Sequence, residues 1–231
     1  MQLDNVYTSE VEQSLARKFM NSVYAWMSIG ILLTGIIALF TVSSGLYHSI
    51  LQNKLFFYGL IFGELALVFF LSARIHQMSV SAATLSYLGY SALNGLTLSI
   101  LFVVYTRSSI ANVFFITSGM FAVTSFYGMV TKKDLSNWGN ILFMGIIGII
   151  IASVVNIFLK SPALYWIISY VGVVLFTALT AYDTQKIKNS YLYGNFDEVG
   201  TKKIAIMGAL KLYLDFINLF IMLLRIFGKR D

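Results

Sequence analysis

Seven apolar runs, each close to the length of a bilayer crossing and joined by short polar connections, leave this chain little choice of architecture. They fall at about residues 19–42, 55–71, 82–105, 110–130, 141–158, 163–182 and 204–227. A hydrocarbon core of about 30 Å takes about 20 helical residues per crossing. In lipid every backbone group must be satisfied within the segment or in a closed barrel. None of the runs alternates with the period of two that a barrel requires. The chain therefore reads as all-α, a polytopic membrane protein with seven transmembrane helices. Seven spans and their loops use up the 231 residues. The reading is a single transmembrane domain, 1–231, with a short polar N-terminal segment at 1–18.

Composition agrees and excludes several functions. Only 11% of residues are charged, against about 25% in soluble domains. The net charge of +6 is spread over loop ends. No basic block interleaved with aromatics occurs, so nucleic acid is not an expected partner. Cysteine is absent and His48 and His76 are the only histidines, which argues against thiol chemistry and a zinc site. The first twenty residues carry Asp4, Glu10, Glu12, Arg17 and Lys18. They lack the basic start and short apolar core of a cleavable signal, so the first span should remain as an anchor.

Basic residues set the expected orientation. With the N-terminus in the cytoplasm, Arg17, Lys18, Arg74, Lys132, Lys133, Lys186, Lys188, Lys202 and Lys203 lie inside, against Lys54, Arg107 and Lys160 outside. Arg225, Lys229 and Arg230 then lie outside if the last segment crosses fully, against the bias; a re-entrant last segment would remove the conflict. Seven full crossings are the preferred reading. The longest connection is expected at about 184–203, around the turn-forming Tyr193, Gly194 and Asn195. In span five Gly145, Gly148, Ala152 and Asn156 follow helical spacing and read as a small-residue packing seam. In span three Thr84, Tyr87, Ser91 and Asn94 share a face suited to interhelical hydrogen bonds.

Ionisable residues within the spans carry the functional signal. Asp215 lies inside residues 209–228, ALKLYLDFINLFIMLLRIFG. A charge at mid-membrane costs roughly 2.5–3.5 kcal/mol on insertion scales, so it is tolerated where it faces a partner or a water-filled path. Lys211, Asp215 and Asn218 fall at i, i+4 and i+7, one stripe on the last helix. A neutralised Lys–Asp pair with a hydrogen-bonded asparagine would explain why that stripe is tolerated. Asp183, in residues 181–188, AYDTQKIK, is placed near the end of the sixth span. There, water or Lys186 would suffice to explain it. Two carboxylates in one confined site titrate as a unit, because both cannot ionise cheaply. The pair Asp183 and Asp215 is thus the candidate proton-sensing site. Its hard oxygens also suit calcium, although two carboxylates fall short of the usual six to eight ligands. Glu64 in span two is expected to line a polar cavity. Arg74 at the end of that span reads either as a latch on Asp183 or as a snorkelling anchor.

At these residues the chain resembles the transmembrane Bax-inhibitor-motif family. The likeness is carried by 181–188, by 209–228 and by a seven-span layout without soluble domains, and it covers essentially the whole chain. It implies a last helix wrapped by the other six. It also implies a pH-sensitive calcium leak with Asp183 and Asp215 as the paired carboxylates and Arg74 as latch partner. The loop 190–203 looks expanded beside that pattern. Small size and short loops fit a bacterial cytoplasmic (inner) membrane.

Several functions compete. The leading one is a cation leak gated by protonation of the aspartate pair, needing no cofactor, with calcium or protons as the transported ions and the lipid bilayer as surroundings. The alternative is a non-conducting regulator that touches a membrane protease or stress-response partner. An intramembrane aspartyl protease also places two aspartates on neighbouring spans, and Tyr182-Asp183 matches its first motif. Its second motif needs Gly-x-Gly-Asp, where Leu212, Tyr213 and Leu214 stand before Asp215. Pro162-Ala163-Leu164 precedes both acids where the third motif should follow them, so no enzyme is expected. Proton-coupled antiport lacks the inverted repeat or interrupted helices that would support it.

Overall fold

The computed structural model describes residues 2–230, with side chains from Glu12 onward. Asp4 and Glu10 of the polar N-terminal segment therefore lie outside the described side chains. The helices are α1 (Gln2–Ser43), α2 (Leu46–Gln52), α3 (Lys54–Arg74), α4 (Val80–Leu98), α5 (Leu101–Val104), α6 (Arg107–Val130), α7 (Gly139–Leu159), α8 (Pro162–Tyr193) and α9 (Glu198–Phe227). Among the described residues no strand occurs, apart from an isolated antiparallel bridge between Tyr105 and Arg230. Seven helical spans are long and apolar enough to cross a membrane: Glu12–Ser43, Lys54–Arg74, Val80–Val104, Arg107–Val130, Ser136–Leu159, Pro162–Tyr193 and Glu198–Phe227.

Local chemistry sets the ends. The side chains of Asn53, Ser79 and Thr106 accept from the backbone N–H groups of Phe56, Ala82 and Ser109 at 3.1, 3.1 and 3.2 Å, closing the first turns of α3, α4 and α6. Pro162, which has no N–H to donate, opens α8. Lys160 ends α7 in the left-handed region at φ 50°, a conformation costing an L-residue roughly 1–2 kcal/mol. The third span is broken: α4 stops at Leu98 and α5 resumes at Leu101. Ser99 at the break is buried and its hydroxyl donates to the Leu96 carbonyl at 2.6 Å.

The polar N-terminal segment is helical from Gln2 and continues directly into the first span. Two expectations need correction. The connection expected over 184–203 is mostly helix: α8 runs to Tyr193, leaving only residues 194–197 before α9. With 32 residues, about 48 Å at 1.5 Å each, α8 outreaches the hydrocarbon core. Its polar extension is held by apolar contacts that hydropathy does not register, since Ile187 is buried and Tyr191 stacks on Phe19 at 4.4 Å. Asp183 therefore sits well inside a helix and not at its end. In the small-residue seam of α7, Gly145 does pack closely, against Leu175, but Gly148 has no neighbour and this span is the least buried, at 6%.

The chain forms two compact units, Met1–Val104 with Ile187–Tyr213, and Tyr105–Lys186 with Leu214–Asp231. In the first, α1 packs on α4 so closely that a Cβ on Gly95 would lie 2.7 Å from the Thr34 carbonyl oxygen. Tyr213 of α9 fills the core, edge-on to Tyr87 at 6.2 Å and to Tyr90 at 5.7 Å. In the second, Phe216 of α9 meets Phe114 and Phe121, each at 5.6 Å, and Met222 covers Gly172. In this unit α6 and α8 touch backbone to backbone where Gly128 abuts Ala181. Each unit thus builds its core on its own stretch of α9, which at 67% is the most buried span, against 39% for the next. The last helix is thus the one most covered within each unit.

Candidate functional site

The candidate carboxylates fall in different settings. Asp215 is buried, at 5% exposure, between Leu214 and Phe216 on α9. Asp183 is half-buried on α8. Its successors fix the helix against its surroundings. The Thr184 hydroxyl lies 2.9 Å from that of Ser125 on α6. The Gln185 amide accepts from Leu135 N–H and donates to the Lys133 carbonyl, both at 2.8 Å. Sequence reasoning missed Gln185, which ties the connection between spans four and five to α8. The only sign of it was a glutamine two places after an intramembrane aspartate. Lys186, considered as a partner for Asp183, donates to the Tyr182 hydroxyl at 3.0 Å and stands over its ring.

The supporting residues have partners of their own. Asn218 donates its amide to the Leu214 carbonyl one turn back, at 2.8 Å, and Lys211 is half-buried. Arg74 is exposed and its guanidinium donates to the Gln77 amide oxygen at 3.1 Å. Close by in sequence, the His76 carbonyl accepts from Lys203 at 2.9 Å. This bond fastens the start of α9 to the connection between spans two and three. Among the described residues no three His, Asp or Glu side chains gather as a metal cluster.

Glu64 is held by two side chains of α4. Its carboxylate accepts from the Asn94 amide at 3.3 Å and from the Thr97 hydroxyl, so it faces the polar side of α4. From Asn94 the chain of bonds continues inward. The Tyr213 hydroxyl donates to the Asn94 amide oxygen at 3.1 Å and lies 2.7 Å from the Thr34 hydroxyl, which in turn reaches the Ser91 carbonyl at 2.8 Å. One network thus joins α1, α3, α4 and α9. It was legible at Glu64 and on the Ser91 and Asn94 face of α4, but not at Thr34 or Tyr213, which stand alone in apolar runs and carry no pattern. Its hydrogens do not balance as drawn. The three contacts from Ser91 to Asn94 share two hydroxyl protons, one from Thr34 and one from Tyr213.

The second unit closes around the C-terminal end of α9. Thr106 N–H donates to the Lys229 carbonyl and Lys229 N–H to the Ser109 hydroxyl, each at 3.0 Å. Arg230 donates to the Tyr165 hydroxyl at 3.1 Å. The last helix therefore ends beside the connection between spans three and four and the start of span six. A full seventh crossing brings it there, and a re-entrant segment would not.

This arrangement defines a class: a helical, seven-span integral membrane protein with carboxylates held inside its spans. Residues 16–231 match the family described as inhibitor of apoptosis-promoting Bax1, and the chain belongs to that family. It is 52% identical over 214 residues to the inner membrane protein YbhL of Escherichia coli strain K12, covering 92% of each chain. A protein of Rickettsia prowazekii is 43% identical over 215 residues, covering 93% of this chain and 90% of the relative. One from Borreliella burgdorferi is 42% identical over 225 residues, covering 96% and 97%. The chain is a multi-pass protein of the bacterial inner membrane.

Proposed function

We propose that the protein is a pH-sensitive cation leak, with calcium as its cargo, gated by protonation of carboxylates inside the spans. The observation that carries this reading is the burial of Asp215 in the last helix, since an intramembrane acid is functional by default. On this reading Asp215 and Asp183 share a proton. In the ionised state they pass a cation along the bundle, calcium being held only in transit. Protonation weakens cation affinity while loosening the contacts that keep the path shut, so flux peaks at an intermediate pH.

The network around Glu64 supports proton coupling independently. Turning the Asn94 amide over by half a rotation would let Asn94 donate to Tyr213, Tyr213 to Thr34 and Thr34 to Ser91. Every contact is then satisfied if Glu64 carries a proton to donate to Asn94. A change in the charge of Glu64 would thus reverse the direction of bonds across four helices. Positive residues favour a cytoplasmic N-terminus for this machine.

Calcium flux into liposomes across a pH series, wild type against Asp215→Asn and Asp183→Asn, tests the proposal. The expected result is loss of the pH optimum in both variants, with flux at that optimum reduced about tenfold, the effect of about 1.4 kcal/mol. Unchanged flux in both would reject conduction through this pair and leave regulation by contact with a membrane partner as the reading.

A further inference from the structure

We propose that the cleft at the C-terminal end of α9 binds the phosphate headgroup of an anionic phospholipid. The cleft has a volume of about 490 Å³ and is lined by residues including Lys160, Tyr165, Trp166, Arg225 and Arg230. Its charged lining is entirely cationic. In the connections that build this end of the second unit, 105–109 and 156–166, there is no Asp or Glu, while Arg107 and Lys160 lie in them and Arg225, Lys229 and Arg230 close α9. Asp231, next in sequence, is outside the described residues.

Two guanidinium groups converge on one ring. Arg225 stands 5.6 Å and Arg230 5.8 Å from the centre of Tyr165. Arginine does not lose its proton at accessible pH, so both charges persist and an anion seated between them gains from each. A planar, forked donor also matches a phosphate better than a single ammonium does. Lys160 adds a third cation from the end of α7, held in a backbone conformation that glycine would adopt without strain. The surroundings are those of a lipid and not of a dissolved ion. Trp166 and Tyr170 are exposed beside the cleft, as aromatics at a membrane interface are. Phe158, Leu159 and Phe227, 80%, 64% and 61% exposed, offer apolar surface to acyl chains just below it. These cations also lie at the end of the bundle where the distribution of basic residues disfavours them, which a bound anionic headgroup would explain.

Trp166 lies in the cleft and becomes its reporter once Trp26 and Trp138 are replaced by Phe. The full chain is reconstituted in phosphatidylcholine nanodiscs containing brominated phosphatidylglycerol or, separately, brominated phosphatidylcholine, and quenching of Trp166 is followed. Brominated phosphatidylglycerol should quench at lower mole fraction. Arg225→Gln or Lys160→Gln should each weaken that preference about fivefold, the weight of one basic residue beside an anionic lipid. Arg225→Lys should recover part of the loss, which separates charge from misfolding. Arg107→Gln, at the same end but outside the cleft, should change little. Equal quenching by the two lipids, or an equal loss in Arg107→Gln, would overturn the site. Displacement of the brominated lipid by inorganic phosphate at constant ionic strength would overturn the lipid assignment in favour of a soluble anion.

Discussion

Single side chains decide how polar groups survive in this bundle. Tyr213 is fully buried, yet its hydroxyl touches both Thr34 and Asn94. Tyr213→Phe keeps the ring packing and removes both contacts. Interhelical hydrogen bonds in membranes average about 0.6 kcal/mol and reach about 1.7 kcal/mol, so unfolding in mixed micelles should report a loss in that range. Glu64→Gln offers a permanent donor and acceptor to Asn94 and Thr97. It should keep stability near wild type while removing any pH dependence of the Tyr213 hydroxyl vibration in resonance Raman spectra. A vibration that still shifts with pH in that variant would place the titrating group elsewhere. At this scale the sequence was informative for charges and mute for neutral partners. Glu64 and Asp215 stand out because lipid penalises them, whereas Thr34 costs little to place in an apolar run and Gln185 falls in the polar stretch expected to be a connection.

Helix positions were readable for a related reason: hydropathy marks which residues lipid accepts. It does not mark where a helix stops once it leaves the membrane, so the extension of α8 to Tyr193 was read as loop. The spacing of small residues likewise identifies a smooth face without showing what lies against it. Gly128 abuts the backbone at Ala181, while Gly148 has open space beside it. Gly128→Leu should therefore cost about 1–3 kcal/mol by overpacking, and Gly148→Leu should stay within about 0.5 kcal/mol. Parallel unfolding curves of the two variants check the contrast. Comparable losses would show that the face of α7 bearing Gly148 is covered in the folded protein.

For the molecule as a whole, the order of crossings is the main legible result and the side of each end is the main prediction. The bonds that Lys229 makes with Thr106 and Ser109 put the connection between spans three and four and the end of α9 at one end of the second unit. Because cysteine is absent, Thr106→Cys, Lys229→Cys and Lys132→Cys each supply a unique thiol. A membrane-impermeant maleimide should label the first two from the periplasmic side of intact cells and the third only after lysis. Labelling of Lys132→Cys in intact cells would invert the orientation. The double variant Thr106→Cys/Lys229→Cys should oxidise to a disulfide, which backbone pairing makes sterically accessible. That pairing had no signature in the sequence, since it uses main-chain groups that every residue carries.

The two units draw on opposite halves of α9, meeting between Tyr213 and Leu214. During synthesis neither can close before its share of that helix leaves the ribosome. Until then Asn94 and Thr34 await Tyr213, and Phe114 awaits Phe216. A nascent chain stalled before Glu198 would hold six inserted spans with two unfinished interiors, a state open to chaperones and membrane proteases alike.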